Sequence, residues 1–397
     1  MTVGRKRIVL TCLPLYSHLA PVVVPVAHAL SRAGHTVAVA TAPAMAAGLA
    51  RHGIEHLSLP NVRTLEELLA DPVVFTSPGM PGAEGEDPGE TARAREEVGP
   101  VTKAHAGGLA GIFARDLIGA SAAWRPDLIV RECNEFGGYL AAERLELPRA
   151  VLDIAPFTSA HLPLLHDTLN GQLAELGLPP AEDAWRPNDG LLAAVVPAAW
   201  YPESLRRPSL RSYRPDIVTA HDVSPAPGRP LVLAGLGTVM HAVVPEVPRL
   251  LAAMVTALGE LPCRGVVSLG PAAGDWSGPR PPNVRLVRFA PQRELLGEAA
   301  VFLSHGGFGG VHEALHTATP MVNVPLLGDA PDNARRVTEL GLGLRLDPAA
   351  ATPEALADAV GRVLADEGFA RRATELARLA ARMPGFDVLA GDLAALA

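Results

Sequence analysis

Between Val301 and Leu346 the chain reads VFLSHGGFGGVHEALHTATPMVNVPLLGDAPDNARRVTELGLGLRL, a pattern that few architectures accommodate. Val301 to Leu303 is a short apolar run, read as a buried parallel strand. Ser304, His305, Gly306 and Gly307 form a turn with little side-chain bulk. A helical pattern follows from Phe308 to Thr319, with Val311, Ala314 and Leu315 on one face. Strand, glycine turn and helix in that order bring backbone N–H groups and the positive end of a helix dipole to one point, which suits a phosphate or diphosphate. Gly306, Gly307, Gly309 and Gly310 let such a group approach the main chain closely. These glycines fit neither G-x-G-x-x-G nor G-x-x-x-x-G-K-S/T, so the dinucleotide fingerprint and the ATPase loop both fail. On the glycines alone, a tight turn in an ordinary βα unit is the competing explanation.

Pro320 starts a second apolar strand, Met321 to Leu327, which ends at Gly328-Asp329. Pro331 opens another helix at its favoured first position, and Gly341 closes it. His305, Glu313 and Asp329 are therefore expected along one sheet edge, at the strand carboxyl ends where open α/β sheets bind ligands.

This segment resembles the nucleotide-sugar signature of the family 1 GT-B glycosyltransferases, especially the bacterial ones that decorate antibiotics and other secondary metabolites. That signature runs H-G-G-x-G-(S/T)-x-x-E-A-L, then G-x-P, a strand, and D-Q-x-x-N-A. Here the matching residues are His305-Gly306-Gly307-Phe308-Gly309-Gly310-Val311-His312-Glu313-Ala314-Leu315, then Thr319-Pro320, then Asp329-Ala330-Pro331-Asp332-Asn333-Ala334. The resemblance implies that His305, Gly306, Gly307, Gly309 and Gly310 cradle the donor diphosphate, that Glu313 binds ribose hydroxyls and that Asp329 binds the sugar. Gly310 replaces a hydroxyl residue, so only its backbone N–H remains for the phosphates. Ala330 replaces a Gln that contacts sugar hydroxyls in glucose-using members, removing a donor and an acceptor. A deoxygenated sugar is the expectation that follows.

The chain has 397 residues, enough for two domains. Its net charge of −8 argues against nucleic acid or an anionic membrane surface as partner. Lys6 and Lys103 are the only lysines, so arginine carries the positive charge. Cys12, Cys133 and Cys263 show no C-x-x-C spacing and read as buried thiols in a reducing cytoplasm. No stretch has the roughly 18 uncharged apolar residues of a membrane span. A homodimer is an admissible assembly.

Arg7 to Cys12 is a first strand, followed by a turn, a helix from about Pro21 to Arg32 that Gly34 ends, and a second strand, His35 to Thr41. This βαβ opening implies a doubly wound parallel sheet. The turn Pro14-Leu15-Tyr16-Ser17-His18-Leu19-Ala20-Pro21 resembles the family's G-H-x-x-P turn, with Ser17 where Gly is usual. The resemblance makes His18 the general base for the acceptor hydroxyl, and a neutral imidazole near pH 7 can accept that proton. Leu128 to Val130 is another strand. In relatives an Asp at the position of Glu132 holds the base imidazole. Glu is one methylene longer, and Glu135 could serve instead. The Pro- and Gly-rich run 78–90 reads as a surface loop. Phe157 to Leu164 is apolar with polar tips, so Phe157 and His161 are acceptor-pocket candidates, with plain core packing as the alternative.

Ser224-Pro225-Ala226-Pro227-Gly228-Arg229-Pro230 is the best linker. A new βα start follows at Leu231 to Ala234, and Thr238 resembles the family hydroxyl that reaches the donor diphosphate. Val284 to Phe289 leads into Ala290-Pro291-Gln292, where the resemblance places the nucleotide base beside Phe289 and Ala290, with Pro291 and Gln292 shaping the turn. The expected organisation is residues 1–222 for an acceptor-binding domain, 223–230 for the linker, 231–382 for a nucleotide-sugar domain and 383–397 for a tail packing back on the first.

The expected fold is therefore GT-B: α/β, two doubly wound Rossmann-like domains facing across a cleft. No D-x-D pair occurs, and without an acid cluster for Mg²⁺ neither metal nor cofactor is expected beyond the nucleotide sugar. The expected activity is metal-independent, inverting transfer of a sugar from a nucleoside diphosphate, dTDP favoured over UDP, to a hydrophobic natural-product acceptor. A nucleotide-sugar 2-epimerase on the same fold and an inactive sugar-nucleotide-binding partner protein are the rivals.

Overall fold

The computed structural model describes residues 4–69, 100–215, 228–237 and 240–397. The 78–90 run, Ser224 to Pro227 and Thr238 lie outside them. The chain divides into one compact unit of Met1–Asp216 with Met383–Ala397, and a second of Ile217–Arg382.

The first unit holds seven parallel strands: β1 (Arg7–Thr11), β2 (Thr36–Thr41), β3 (Glu55–Ser58), β4 (Leu128–Glu132), β5 (Arg149–Asp153), β6 (Leu191–Ala194) and β7 (Leu210–Ser212), in the order β3-β2-β1-β4-β5-β6-β7. The second holds six: β8 (Leu231–Gly235), β9 (Arg264–Ser268), β10 (Val284–Val287), β11 (Ala299–Ser304), β12 (Met321–Asn323) and β13 (Gly343–Arg345), in the order β10-β9-β8-β11-β12-β13, again all parallel. Both are doubly wound Rossmann-like sheets. Helices cover both faces, so the central strands are buried throughout and read as continuous apolar runs rather than alternating ones. Val9, Phe113, Ile129 and Leu140 centre the first core, and Val232, Leu250, Leu303 and Val322 the second.

Two of the boundaries that differ from the sequence reading have a direct physical reason. The first helix starts earlier, with a short α-helical turn, Tyr16–His18, and passes through a π-helical turn, Leu19–Val23, before the α-helix Val24–Arg32. Pro21 and Pro25 have no N–H to give to the fourth preceding carbonyl, and the wider turn absorbs the loss. The strand expected over Met321 to Leu327 stops at Asn323. Val324 still donates to Ser304, at 2.8 Å, but Pro325 has no donor with which to continue the ladder.

The C-terminal helix Phe386–Ala394 buries Phe386, Leu389 and Leu393 and packs against Val24–Arg32. Arg32 donates to Asp387 at 2.9 Å, and the Tyr213 hydroxyl to Asp392 at 2.5 Å. The tail thereby belongs to the first unit. Among the described residues, no helix is long and apolar enough to cross a membrane.

Candidate functional site

In each sheet the strand order reverses once, and a crevice forms where neighbouring connections depart to opposite faces. In the first sheet that point lies between β1 and β4, paired in register with Thr11 opposite Arg131. The turn after β1 carries His18. Glu132 is the last residue of β4, one strand away. The His18 Nδ1 and Glu132 Oε1 atoms are 3.3 Å apart. The same carboxylate accepts the Asn134 N–H at 3.0 Å and the Leu13 N–H at 3.4 Å. Glu132 is wholly buried, while the His18 side chain keeps 23% of its surface exposed.

Burial alone would push the Glu132 carboxyl up, but the adjacent His18 ring and the Asn134 N–H outweigh it and hold the group below the usual carboxylate value. An ionised carboxylate can only accept, so His18 must donate through Nδ1. In the neutral ring Nε2 is then the acceptor, the state a general base requires.

Between the two candidate partners for His18, the structure chooses Glu132. Glu135 points elsewhere: it accepts from the Thr11 hydroxyl and, at 2.9 Å, from the Gly138 N–H at the start of helix Gly137–Leu145. Burial raises its carboxyl to about 7 despite these bonds.

A mostly apolar cavity of about 140 Å³ is bounded by Leu13, Leu15, Val62, Leu109, Phe113 and Phe136, with His105 and Glu135 among its polar lining; His18 and Glu132 do not line it, but Leu13, whose N–H reaches Glu132, does. Burial drives the His105 imidazole down to about 4, keeping it neutral, although the nearby Glu132 charge pulls the other way. Neither acceptor candidate reaches this cavity. Phe157 is buried with its ring 6.3 Å from that of Trp200, and His161 occupies the N-cap position of helix Leu162–Glu175 without a side-chain cap bond. His105 carries no signal in the sequence because its helix, Pro100–Ala106, comes near His18 and Glu132 only through the fold.

In the second sheet the reversal lies between β8 and β11. Ser304 ends β11, and His305 turns toward the end of β8, where it rests against Gly237. Burial holds the His305 imidazole at about 4, so it is neutral and can offer a hydrogen bond but no net charge. Its Nδ1 is buried with no hydrogen-bond partner among the described residues. Helix Phe308–His316 starts immediately after the turn. Gly309, in its first turn, has open space where a side chain would be. At Gly310 a Cβ would meet Phe302 Cε1 at 3.0 Å, so a hydroxyl residue there would require Phe302 to move.

Asp329 accepts the Phe308 N–H at 3.2 Å and the Asn333 side-chain amide at 3.0 Å. The same amide nitrogen reaches the Gly306 carbonyl at 3.1 Å. Glu313 accepts from Gln292 at 2.9 Å, so Gln292 positions this carboxylate as well as shaping its own turn. Phe289 stands 77% exposed at the end of β10, while Ala290 is buried. Thus His305, Gly306, Gly307, Gly309, Gly310, Glu313 and Asp329 share one end of the second sheet. The placement of Thr238 is outside the described residues.

Comparison with known proteins bears on the fold and the family. The family profile described as "Erythromycin biosynthesis protein CIII-like, C-terminal domain" matches residues 252–396. L-demethylnoviosyl transferase of Streptomyces niveus is 30% identical over 355 residues, spanning 86% of this chain and 85% of that protein. The crystal structure of CalG4, the calicheamicin glycosyltransferase, has the same fold at 23% identity, with a TM-score of 0.78 over 99% of this chain and 98% of that one. VinC, a glycosyltransferase solved in complex with dTDP, gives a TM-score of 0.72 at 23% identity over 98% and 99% of the two chains.

Proposed function

The chain belongs to the family 1 GT-B glycosyltransferases of secondary metabolism, and on that premise we propose that it moves a deoxysugar from dTDP to a hydroxyl of an apolar natural-product aglycone, inverting the anomeric centre. The observation that carries this reading is the His18–Glu132 pair, 3.3 Å apart, with an apolar cavity bounded by the adjoining Leu13 and Glu135. His18 Nε2 takes the proton of the acceptor hydroxyl, and Glu132 stabilises the imidazolium that forms. The acceptor oxygen forms a bond to the anomeric carbon as the bond from that carbon to the diphosphate breaks. The nucleoside diphosphate leaves with the electron pair. One direct displacement inverts the configuration.

On the donor side, the start of helix Phe308–His316 and the unpartnered His305 Nδ1 supply hydrogen bonds for the leaving diphosphate. Glu313, Phe289 and the main chain at Ala290 are the proposed nucleoside contacts, and Asp329 the sugar contact. Thr238 remains a proposed diphosphate ligand. Ala330, fully buried, offers no side-chain amide to a sugar hydroxyl, which favours a deoxygenated donor. The dTDP bound to the structurally similar VinC favours that nucleotide over UDP.

The test is incubation with dTDP- and UDP-sugars against a panel of aglycones, with mass spectrometry of the products and NMR of the anomeric configuration. A β-linked product from an α-linked dTDP-deoxysugar is expected. Exclusive use of UDP-glucose would overturn the donor assignment, and retention of configuration would overturn the mechanism.

A further inference from the structure

Arg131, the penultimate residue of β4, is buried, and among the described residues its hydrogen bonds go to no carboxylate. Its guanidinium spends its donors on main-chain oxygens and one amide. Nη1 reaches the carbonyls of Glu132, Cys133 and Glu135 at 3.3, 2.8 and 3.3 Å. Nε and Nη2 reach the Pro187 carbonyl at 3.2 and 3.0 Å, and Nη2 also reaches Asn188 Oδ1 at 2.5 Å. The Phe136 ring lies 5.1 Å from its central carbon.

A buried charge is costly unless it is thoroughly hydrogen-bonded. These bonds all converge on one object: the short loop after β4, tied to the turn that precedes β6. That loop begins with the carboxylate that meets His18. Lysine would supply a point charge but not a planar fork able to hold carbonyls on two segments.

We propose that Arg131 is a positioning residue for the transfer reaction: its fork fixes the Glu132–Glu135 main chain so that the Glu132 carboxylate holds His18 in the tautomer protonated on Nδ1. This rests on the transferase reading for its catalytic consequence, but the tautomer can be observed without turnover.

The experiment uses the full chain labelled with ¹⁵N-histidine, with the His18 signals identified by their loss in His18→Gln. Wild type is expected to show one neutral tautomer, protonated on Nδ1. Arg131→Lys is expected to show mixed tautomers and a kcat lower by about 10- to 100-fold, with acceptor KM and dTDP affinity each within about threefold of wild type. In a Glu132→Gln background the same change should cost little more, because both changes break one interaction. Asn188→Ala removes one anchor of the fork while keeping the guanidinium. It should give the same signature at smaller size, and it decides the matter if Arg131→Lys does not fold. A folded Arg131→Lys with the wild-type tautomer and kcat, or costs that multiply with Glu132→Gln, would overturn the proposal, as would an unaltered tautomer in Asn188→Ala. A wild-type chain with a single His18 tautomer but no sugar transfer would count against the transferase mechanism and leave the Arg131 relationship standing.

Discussion

His305 lies so close to Gly237 that a methyl group built on the glycine would come within 2.9 Å of the imidazole Cε1. Gly237 also takes φ +73°, a conformation that costs an L-residue roughly 1–2 kcal/mol. Gly237→Ala should therefore shift His305 out of the donor site. We expect dTDP affinity to fall by about tenfold or more, the equivalent of about 1.4 kcal/mol, with the acceptor side unaffected. Titration calorimetry with dTDP checks this. Unchanged affinity would mean that His305 does not contact the nucleotide.

Loss of the base should be more severe. His18→Ala is expected to lower kcat by about 10²- to 10⁴-fold while leaving dTDP binding intact. Glu132→Asp is not a mild change here. The shorter side chain draws the carboxylate back from a partner already 3.3 Å away, so we expect a kcat loss of about 10- to 100-fold, comparable to that of Glu132→Gln. Steady-state kinetics on the three variants separates these cases, and an aspartate variant at full rate would contradict the geometry.

Glu135 should leave a mark on stability as a function of pH. Its folded-state value, about 7, lies above its ordinary 4.5. Below the lower value the carboxyl is protonated in both states. Between the two, the folded state keeps a proton that the unfolded chain has lost, so stability falls as pH rises toward the folded value. Glu135→Gln removes this dependence. Relative to wild type, the variant should gain on the order of 3 kcal/mol between about pH 4.5 and pH 8, whatever its offset at a single pH. Denaturant titrations at several pH values read the difference, and parallel curves for the two proteins would exclude the effect.

Ala318 is a strained position. It sits just past the end of helix Phe308–His316 at φ +57°, where glycine is the preferred residue. Ala318→Gly should stabilise the protein by about 0.5–1 kcal/mol, the relief of left-handed strain less the added chain entropy of glycine. A denaturant midpoint lower than wild type would rule this out.

The donor turn could be read before any coordinates because its chemistry is contiguous. His305, the glycines and Glu313 lie within one strand-turn-helix unit, and a parallel strand buried on both faces announces itself as an apolar run. The alternation of such units also implied two doubly wound sheets. The choice between Glu132 and Glu135 was different in kind. Both stand at the end of the same strand, three positions apart, and only the pairing of β1 with β4, chain segments more than a hundred residues apart, brings one carboxylate to His18 and sends the other to Thr11 and Gly138. His105 carries no local pattern, since the His18 turn lies on another segment, and the fork of Arg131 has meaning only once Pro187 and Asn188 are folded against the loop that follows it. Local sequence dictates backbone conformation and the burial of each face, because those depend on near neighbours. Which side chains meet at a strand end depends on sheet order, which is settled only when distant segments bury their apolar faces together.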